Sequence, residues 1–229
     1  MSEPGVSENP TTRVEYQTPV PILEKPMLKI CTELKPKLEE GEYGIVVGDD
    51  TSARLPTLVV RGFAGFVSEK KGIRKPSTVF LQAGNKVTDE DLASQFEDRI
   101  VSQSKGIEGK KALIITEYIF RGNVLKRLTG MFKAHALPFD VVALRIFDDF
   151  DPTKLALPES SLLIIGDISS HGPSIWNRPD LTGLNRVSNS TDKVTVIKGN
   201  SYTRRRVEQA RADVDLLVKE IIKQTHPIT

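Results

Sequence analysis

The chain of 229 residues has one cysteine, Cys31, so no disulfide can form within it. A reducing compartment is the simple reading, and a cytoplasmic location is expected. Cys31 follows Ile30 in a helical pattern and reads as a small buried residue. No apolar stretch approaches the ~18 residues of a membrane span, so no membrane association is expected. The opening MSEPGVSENPTTRVEYQTPVP lacks the basic start and apolar run of a signal peptide. Neither sign of charge dominates: 32 Lys and Arg face 30 Asp and Glu, a net charge of +2. That balance argues against a general nucleic-acid binder. The three histidines, His135, His171 and His226, are not spaced as metal ligands, and one cysteine leaves no zinc set. There is no Walker loop, no Gly-x-Gly-x-x-Gly, no Ser–His–Asp arrangement and no internal repeat.

The rest of the chain alternates short apolar runs with helical patterns. Residues 1–20 are polar and dotted with proline, and are expected to form a flexible tail. Residues 21–229 are expected to form one domain. Met27, Ile30, Cys31, Leu34 and Leu38 give helical spacing from about Pro26 to Glu40. YGIVVGDD predicts a buried strand, and RLPTLVVRGFAGFVSEKKG a helix with Pro56 in its first turn. STVFLQAG predicts a second strand, and a helix capped by Thr88 is expected to run from Asp89 to Gln103. KALIITE, FDVVALRIF and SSLLIIGDIS predict three more strands, with a helix from Asn123 between the first two. His135 falls near the apolar stripe of that helix and reads as structural. Residues 169–192 read as irregular, KVTVIK as a small strand, and about Thr203 to Lys223 as a C-terminal helix. The fold class expected is α/β: a mainly parallel central sheet of about five strands, helices on both faces, and a C-terminal helix.

In such a sheet a ligand lies beyond the carboxyl ends of the strands. Those ends carry GDDTSAR, TEYIFRGN and GDISSHG. In the first, Asp49, Asp50, Thr51, Ser52 and Arg54 suit a phosphate or a magnesium-bound water, or else cap the next helix. In the second, Arg121, Gly122 and Asn123 precede a helix whose N-terminus attracts anions.

The order of elements over about residues 43–170 resembles the type I phosphoribosyltransferases. Their signature is an apolar run, two acids, two apolar residues and a small Thr- and Gly-rich loop. Leu113, Ile114 and Ile115 match the run, Thr116 stands at the first acid, and Glu117 matches the second. Tyr118 and Ile119 follow, and of the small loop only Gly122 is kept, with Phe120 filling phosphate space. The resemblance implies a phosphorylated ribose or nucleotide ligand, Glu117 and Thr116 at the catalytic positions, and Mg2+ held through Asp49 and Asp50. It also implies that GDDTSAR meets pyrophosphate, and that a homodimer is an assembly to test for. Trp176 then either stacks on a base or anchors its segment, and Asp167 either binds a base or caps a turn. His171 falls near the edge of the same site.

Three readings follow: an enzyme acting at the anomeric carbon of a ribose phosphate, a binding or regulatory module that kept the fold and lost the reaction, or an interaction protein. The altered TEYIFRGN loop favours the second over the first. The third would use the tail and the basic cluster Arg204, Arg205 and Arg206, which stands at a helix N-terminus where basic residues are unfavourable.

Overall fold

The computed structural model describes residues 16–49, 53–84, 87–106, 109–169, 184–186, 194–196 and 201–227. Five strands form one sheet: β1 (Tyr43–Asp49), β2 (Ser77–Leu81), β3 (Lys111–Ile119), β4 (Phe139–Ile146) and β5 (Leu163–Ile168). Their order is β2-β1-β3-β4-β5, and every pairing is parallel. The expected fold class is therefore the observed one. β4 is buried along its whole length, as a strand covered on both faces must be.

The helices are α1 (Glu24–Glu39), α2 (Arg54–Lys71), α3 (Asp89–Arg99), α4 (Asn123–Ala134) and α5 (Ser201–Thr225). Two apolar clusters divide the sheet's faces between them. Leu34, Phe63, Val214 and Leu217 of α1, α2 and α5 pack on Leu113, Ile115, Val142 and Leu144. Leu92, Phe96, Leu128 and Phe132 of α3 and α4 pack on Val47, Ile114, Val141 and Ala143. Successive residues of a strand point to opposite faces, and these two sets alternate accordingly.

Several local expectations need correction. Helix α1 starts at Glu24, because a short 3-10 turn, Val20–Leu23, delivers the chain into it. Thr88 caps α3 by accepting a hydrogen bond from the Asp91 amide, but the α-helix stops at Arg99. A 3-10 stretch, Val101–Gly106, replaces its last turn. Strand β3 runs two residues beyond Glu117. Leu184–Arg186, within the span read as irregular, is a strand (β6) paired antiparallel with β7 (Val194–Val196). His135 ends α4 in an exposed position, its ring 5.1 Å from that of Phe96. Cys31 is buried as expected, and burial pushes its thiol pKa up.

Residues 16–20, placed in the tail by the sequence, are held. Asp213 of α5 is buried and accepts hydrogen bonds from the Gln17 amide, the Thr18 amide at 2.6 Å and the Thr18 hydroxyl at 2.6 Å. Val20 is fully buried. At the amino end of the sheet Asp140, also fully buried, accepts from the Tyr43 hydroxyl at 2.8 Å, the Leu162 amide at 2.8 Å and the Lys111 ammonium at 3.1 Å. One carboxylate thus joins β1, β3, β4 and the approach to β5.

Candidate functional site at the carboxyl edge of the sheet

The chain leaves β1 toward one side of the sheet, to β2, and later returns to place β3 on β1's other side. Open α/β sheets bind ligands at such a reversal, here at the carboxyl ends of β1 and β3. Asp49 closes β1, and the register that pairs Gly48 with Ile115 sets it beside Thr116. The Thr116 hydroxyl donates to the Asp49 carboxylate at 3.0 Å. Both side chains are nearly closed to solvent, at 3% and 5% exposure. A hydroxyl here gives one oxygen of the buried carboxylate a donor, whereas a second acid would oppose it with like charge. Thr116 is thus suited to its neighbour in a way that the sequence pattern alone does not reveal.

Glu117 is equally buried but lies inside β3 rather than after it. Thr116 shares the face of Ile114, toward α3 and α4, and Glu117 shares that of Ile115, toward α1, α2 and α5. Because β3 continues to Ile119 and α4 begins at Asn123, the loop between them is only Phe120, Arg121 and Gly122. Gly122 takes φ +72° as the helix N-cap, and its carbonyl accepts from the Lys126 amide at 2.8 Å. A left-handed residue turns the chain into the helix in one step, and glycine does so without a steric cost. Its own space is also restricted: an added Cβ would lie 2.9 Å from Leu155.

Around this loop are side chains larger than a small phosphate cradle carries. Phe120 is half exposed, its ring 4.8 Å from that of Phe147. The Arg121 guanidinium lies over the Phe120 ring at 5.4 Å and is exposed, as is Asn123. The Tyr118 ring also meets that of Phe147, at 5.5 Å. Partial burial, with Asp148 and Asp149 nearby, raises the Tyr118 phenol pKa, and Arg145 opposes the rise.

Tyr118, Arg145 and Asp167 form one row across β3, β4 and β5. The Arg145 guanidinium is nearly buried, with its Nε 3.4 Å from an Asp167 oxygen. Both line a cavity of about 490 Å³ bordered on the other side by Ile22 of the 3-10 turn and by Lys25, Pro26 and Lys29 of α1. At ~4.8 Å per strand, β5 stands roughly 10 Å from β3, so loop and cavity lie within the span of one nucleotide-sized molecule. Arg145 is the polar residue that sequence reasoning missed. Its signal was a lone arginine inside the apolar FDVVALRIF.

Arg54 opens α2 and lies over the Phe80 ring at 4.7 Å. Burial, then Arg211, lowers its pKa. Asp50, Thr51, Ser52, His171 and Trp176 lie outside the described residues. Among the described residues no group of three or more His, Cys, Asp or Glu is placed to hold a metal. Nor is any helix among them long and apolar enough to cross a membrane.

No protein-family model matches the sequence, and neither does any curated protein. Among solved structures, the chain is similar to hypoxanthine phosphoribosyltransferases. Two crystal forms of a Staphylococcus aureus hypoxanthine phosphoribosyltransferase match at 19% and 22% identity, each covering 64% of this chain and 74% of theirs, with TM-scores of 0.35 and 0.37. Hypoxanthine-guanine phosphoribosyltransferase from Schistosoma mansoni, in complex with IMP, matches at 12% identity over 66% of this chain and 65% of its own, with a TM-score of 0.37. What the protein does has to be argued from its own residues.

Proposed function

We propose that the protein binds a phosphorylated ribose or a nucleotide along the carboxyl edge of β1, β3, β4 and β5. The observation that carries this is the polar row leading from the α4 N-terminus to the 490 Å³ cavity, a volume in the range of small-molecule sites. The phosphate lies at the first turn of α4, where unpaired amides and a partial positive charge meet it. Arg121 adds a full charge and a planar fork. Tyr118 stands by the sugar, and the planar base enters the cavity beside Asp167 and Arg145. The polar tips of that ion pair give the base edge both a donor and an acceptor.

Magnesium fits this arrangement only as a partner of the ligand's phosphate. It takes one or two carboxylates plus phosphate and water rather than a cage of protein ligands. Asp49, with one oxygen shared with Thr116, is the described residue that would hold it. When bound, the ion neutralises phosphate charge.

Transfer at the anomeric carbon is weak or absent in this reading. A developing positive charge there needs preorganised negative charge. Thr116 contributes none, and Glu117 lies on the opposite face from Asp49 and Thr116. The protein therefore acts as a binding or regulatory module built on a transferase-like fold. Calorimetry with ribose 5-phosphate and with nucleoside monophosphates tests the reading. Arg121→Ala should weaken binding by about 1.5–3 kcal/mol, as expected for a lost charge-assisted bond, with an unchanged melting temperature. Equal affinity of wild type and variant for every phosphorylated ligand would overturn it.

A further inference from the structure

One wall of the cavity is the segment that leads into α1, and it has little structure of its own. The 3-10 turn Val20–Leu23 has no side-chain cap. Such a turn has poorer hydrogen-bond geometry than an α-helix, so its position is set by what holds it. Residues three apart share a face in a 3-10 turn. Val20 and Leu23 are accordingly buried in the core, while Pro21 and Ile22 line the cavity.

Toward α1 this wall is fixed. A Cβ at Gly166 of β5 would lie 2.8 Å from the Cβ of Pro26 and 2.9 Å from Cδ1 of Ile30, so α1 rests directly on the strand. Toward the amino terminus the wall is fastened by α5. Asp213 accepts from the Thr18 amide and hydroxyl, and the Arg206 guanidinium donates to the Gln17 carbonyl at 3.1 Å. Arg206 and Asp213 lie about two turns apart on one face of α5. The Thr18 hydroxyl joins this hold to the turn: it donates to Asp213 at 2.6 Å and accepts from the Val20 amide at 3.4 Å. Three residues on from Thr18 is Pro21, a span of at most about 11 Å, so the clamp acts close to the cavity.

We propose that Asp213 and Thr18 are positioning residues for the ligand cavity: through them α5 sets the wall beside which the base lies, without touching the ligand. The proposal rests on the function proposed above for what occupies the cavity, and goes beyond it in naming what shapes the cavity. Recognition of the base is then coupled to docking of the segment before α1. By linkage, a ligand in the cavity stabilises the docked segment by the same factor as docking stabilises the ligand. Recognition of the phosphate at α4 uses other elements and does not depend on the clamp.

The experiment is calorimetry of the full chain with ribose 5-phosphate and with AMP, GMP, UMP and CMP, for wild type, Asp213→Ala, Thr18→Val and Thr18→Ser, with amide exchange followed at Val20, Ile22 and Leu23. Affinity for the tightest-binding monophosphate should fall about fivefold to a hundredfold in Asp213→Ala, and by less in Thr18→Val. Thr18→Ser keeps the hydroxyl and should match wild type. Thr18→Val, which keeps the shape of the side chain, carries the test if Asp213→Ala does not fold. Ribose 5-phosphate has no base to enter the cavity, and its affinity should be the same in all four proteins. Exchange at the three amides should be faster in ligand-free Asp213→Ala than in wild type, and the monophosphate should slow it in wild type. A monophosphate affinity unchanged in both Asp213→Ala and Thr18→Val overturns the proposal and leaves the binding site standing. Proportional loss of the monophosphate and of ribose 5-phosphate also overturns it, since the clamp would then be structural only. A wild type that binds no monophosphate more tightly than ribose 5-phosphate removes the base from the cavity, and overturns this proposal together with that part of the proposed function.

Discussion

Replacing Thr116 by aspartate supplies the acid that the transferase pattern has at this position, and the structure predicts that the protein will not accept it at neutral pH. The new carboxyl would stand about 4 Å from that of Asp49, where two unit charges at an effective dielectric of ~20 repel by about 4 kcal/mol. The alternative is to hold a proton between them. Keeping a carboxyl of ordinary pKa ~3.9 protonated costs about 4 kcal/mol at pH 7 and about 1.5 kcal/mol at pH 5, at ~1.4 kcal/mol per unit. The variant should therefore lose about 4 kcal/mol at pH 7, and about 2.5 kcal/mol less than that at pH 5. The sign follows from linkage. The pair's folded pKa is raised above its unfolded value, so the penalty is smallest at low pH and grows as pH rises through the raised value. Urea denaturation of Thr116→Asp and wild type at pH 5 and pH 7 reads the difference directly, and Thr116→Val separates loss of the hydroxyl donor from gain of charge. A stability difference that is the same at both pH values would refute the reasoning, since it would mean that the two carboxyls do not interact.

Three further outcomes are expected. Gly122→Ala should cost about 1–2 kcal/mol for the left-handed backbone alone, more with the Leu155 contact, and an unchanged urea midpoint would count against the αL cap. Asp140→Ala should cost about 3–5 kcal/mol by leaving Lys111 without its buried partner, and a loss under 1 kcal/mol in the same assay would show that the network is slack. His226 has its pKa lowered by burial, then by Lys35 and Lys70, so its stabilising contribution is present above its ordinary value of 6.5 and is lost as pH falls through the lower folded value. His226→Phe keeps a ring against Phe66 and should flatten the stability profile as pH falls below 6.5; an unchanged profile would remove His226 as its source.

The parallel sheet was legible because β1, β3 and β4 are buried on both faces and so consist of apolar runs with little alternation. The site was legible only as far as such runs reveal their ends. β3 continued through Tyr118 and Ile119 because Ile119 reaches the core and pairs with Ile146, a tertiary reward that local pattern does not display. Thr116 looked like a lost acid until β1 set Asp49 against it, a partner 67 residues away. Asp140 and Arg145 went unremarked for a related reason. Each is a charged residue in a strand whose neighbours are apolar, and each is stabilised by groups from other strands. The 3-10 ending of α3 and the pairing of β6 with β7 depend on short stretches with too few residues to set a period.

The Asp213 clamp has a consequence for how the protein is made. Its donors, Gln17 and Thr18, leave the ribosome early, but the carboxylate that receives them is synthesised 195 residues after Thr18. Until then Val20, Leu23 and the inner face of α1 lack the surface of α5 that covers them. Contacts so distant in sequence form late, after the loop-closure entropy between them has been met. The growing polypeptide therefore carries an α1 face that lacks its α5 cover until α5 is made, and α5 then closes on a segment synthesised 195 residues before Asp213. Chaperone dependence of this protein should accordingly be greatest during translation and should end when α5 docks.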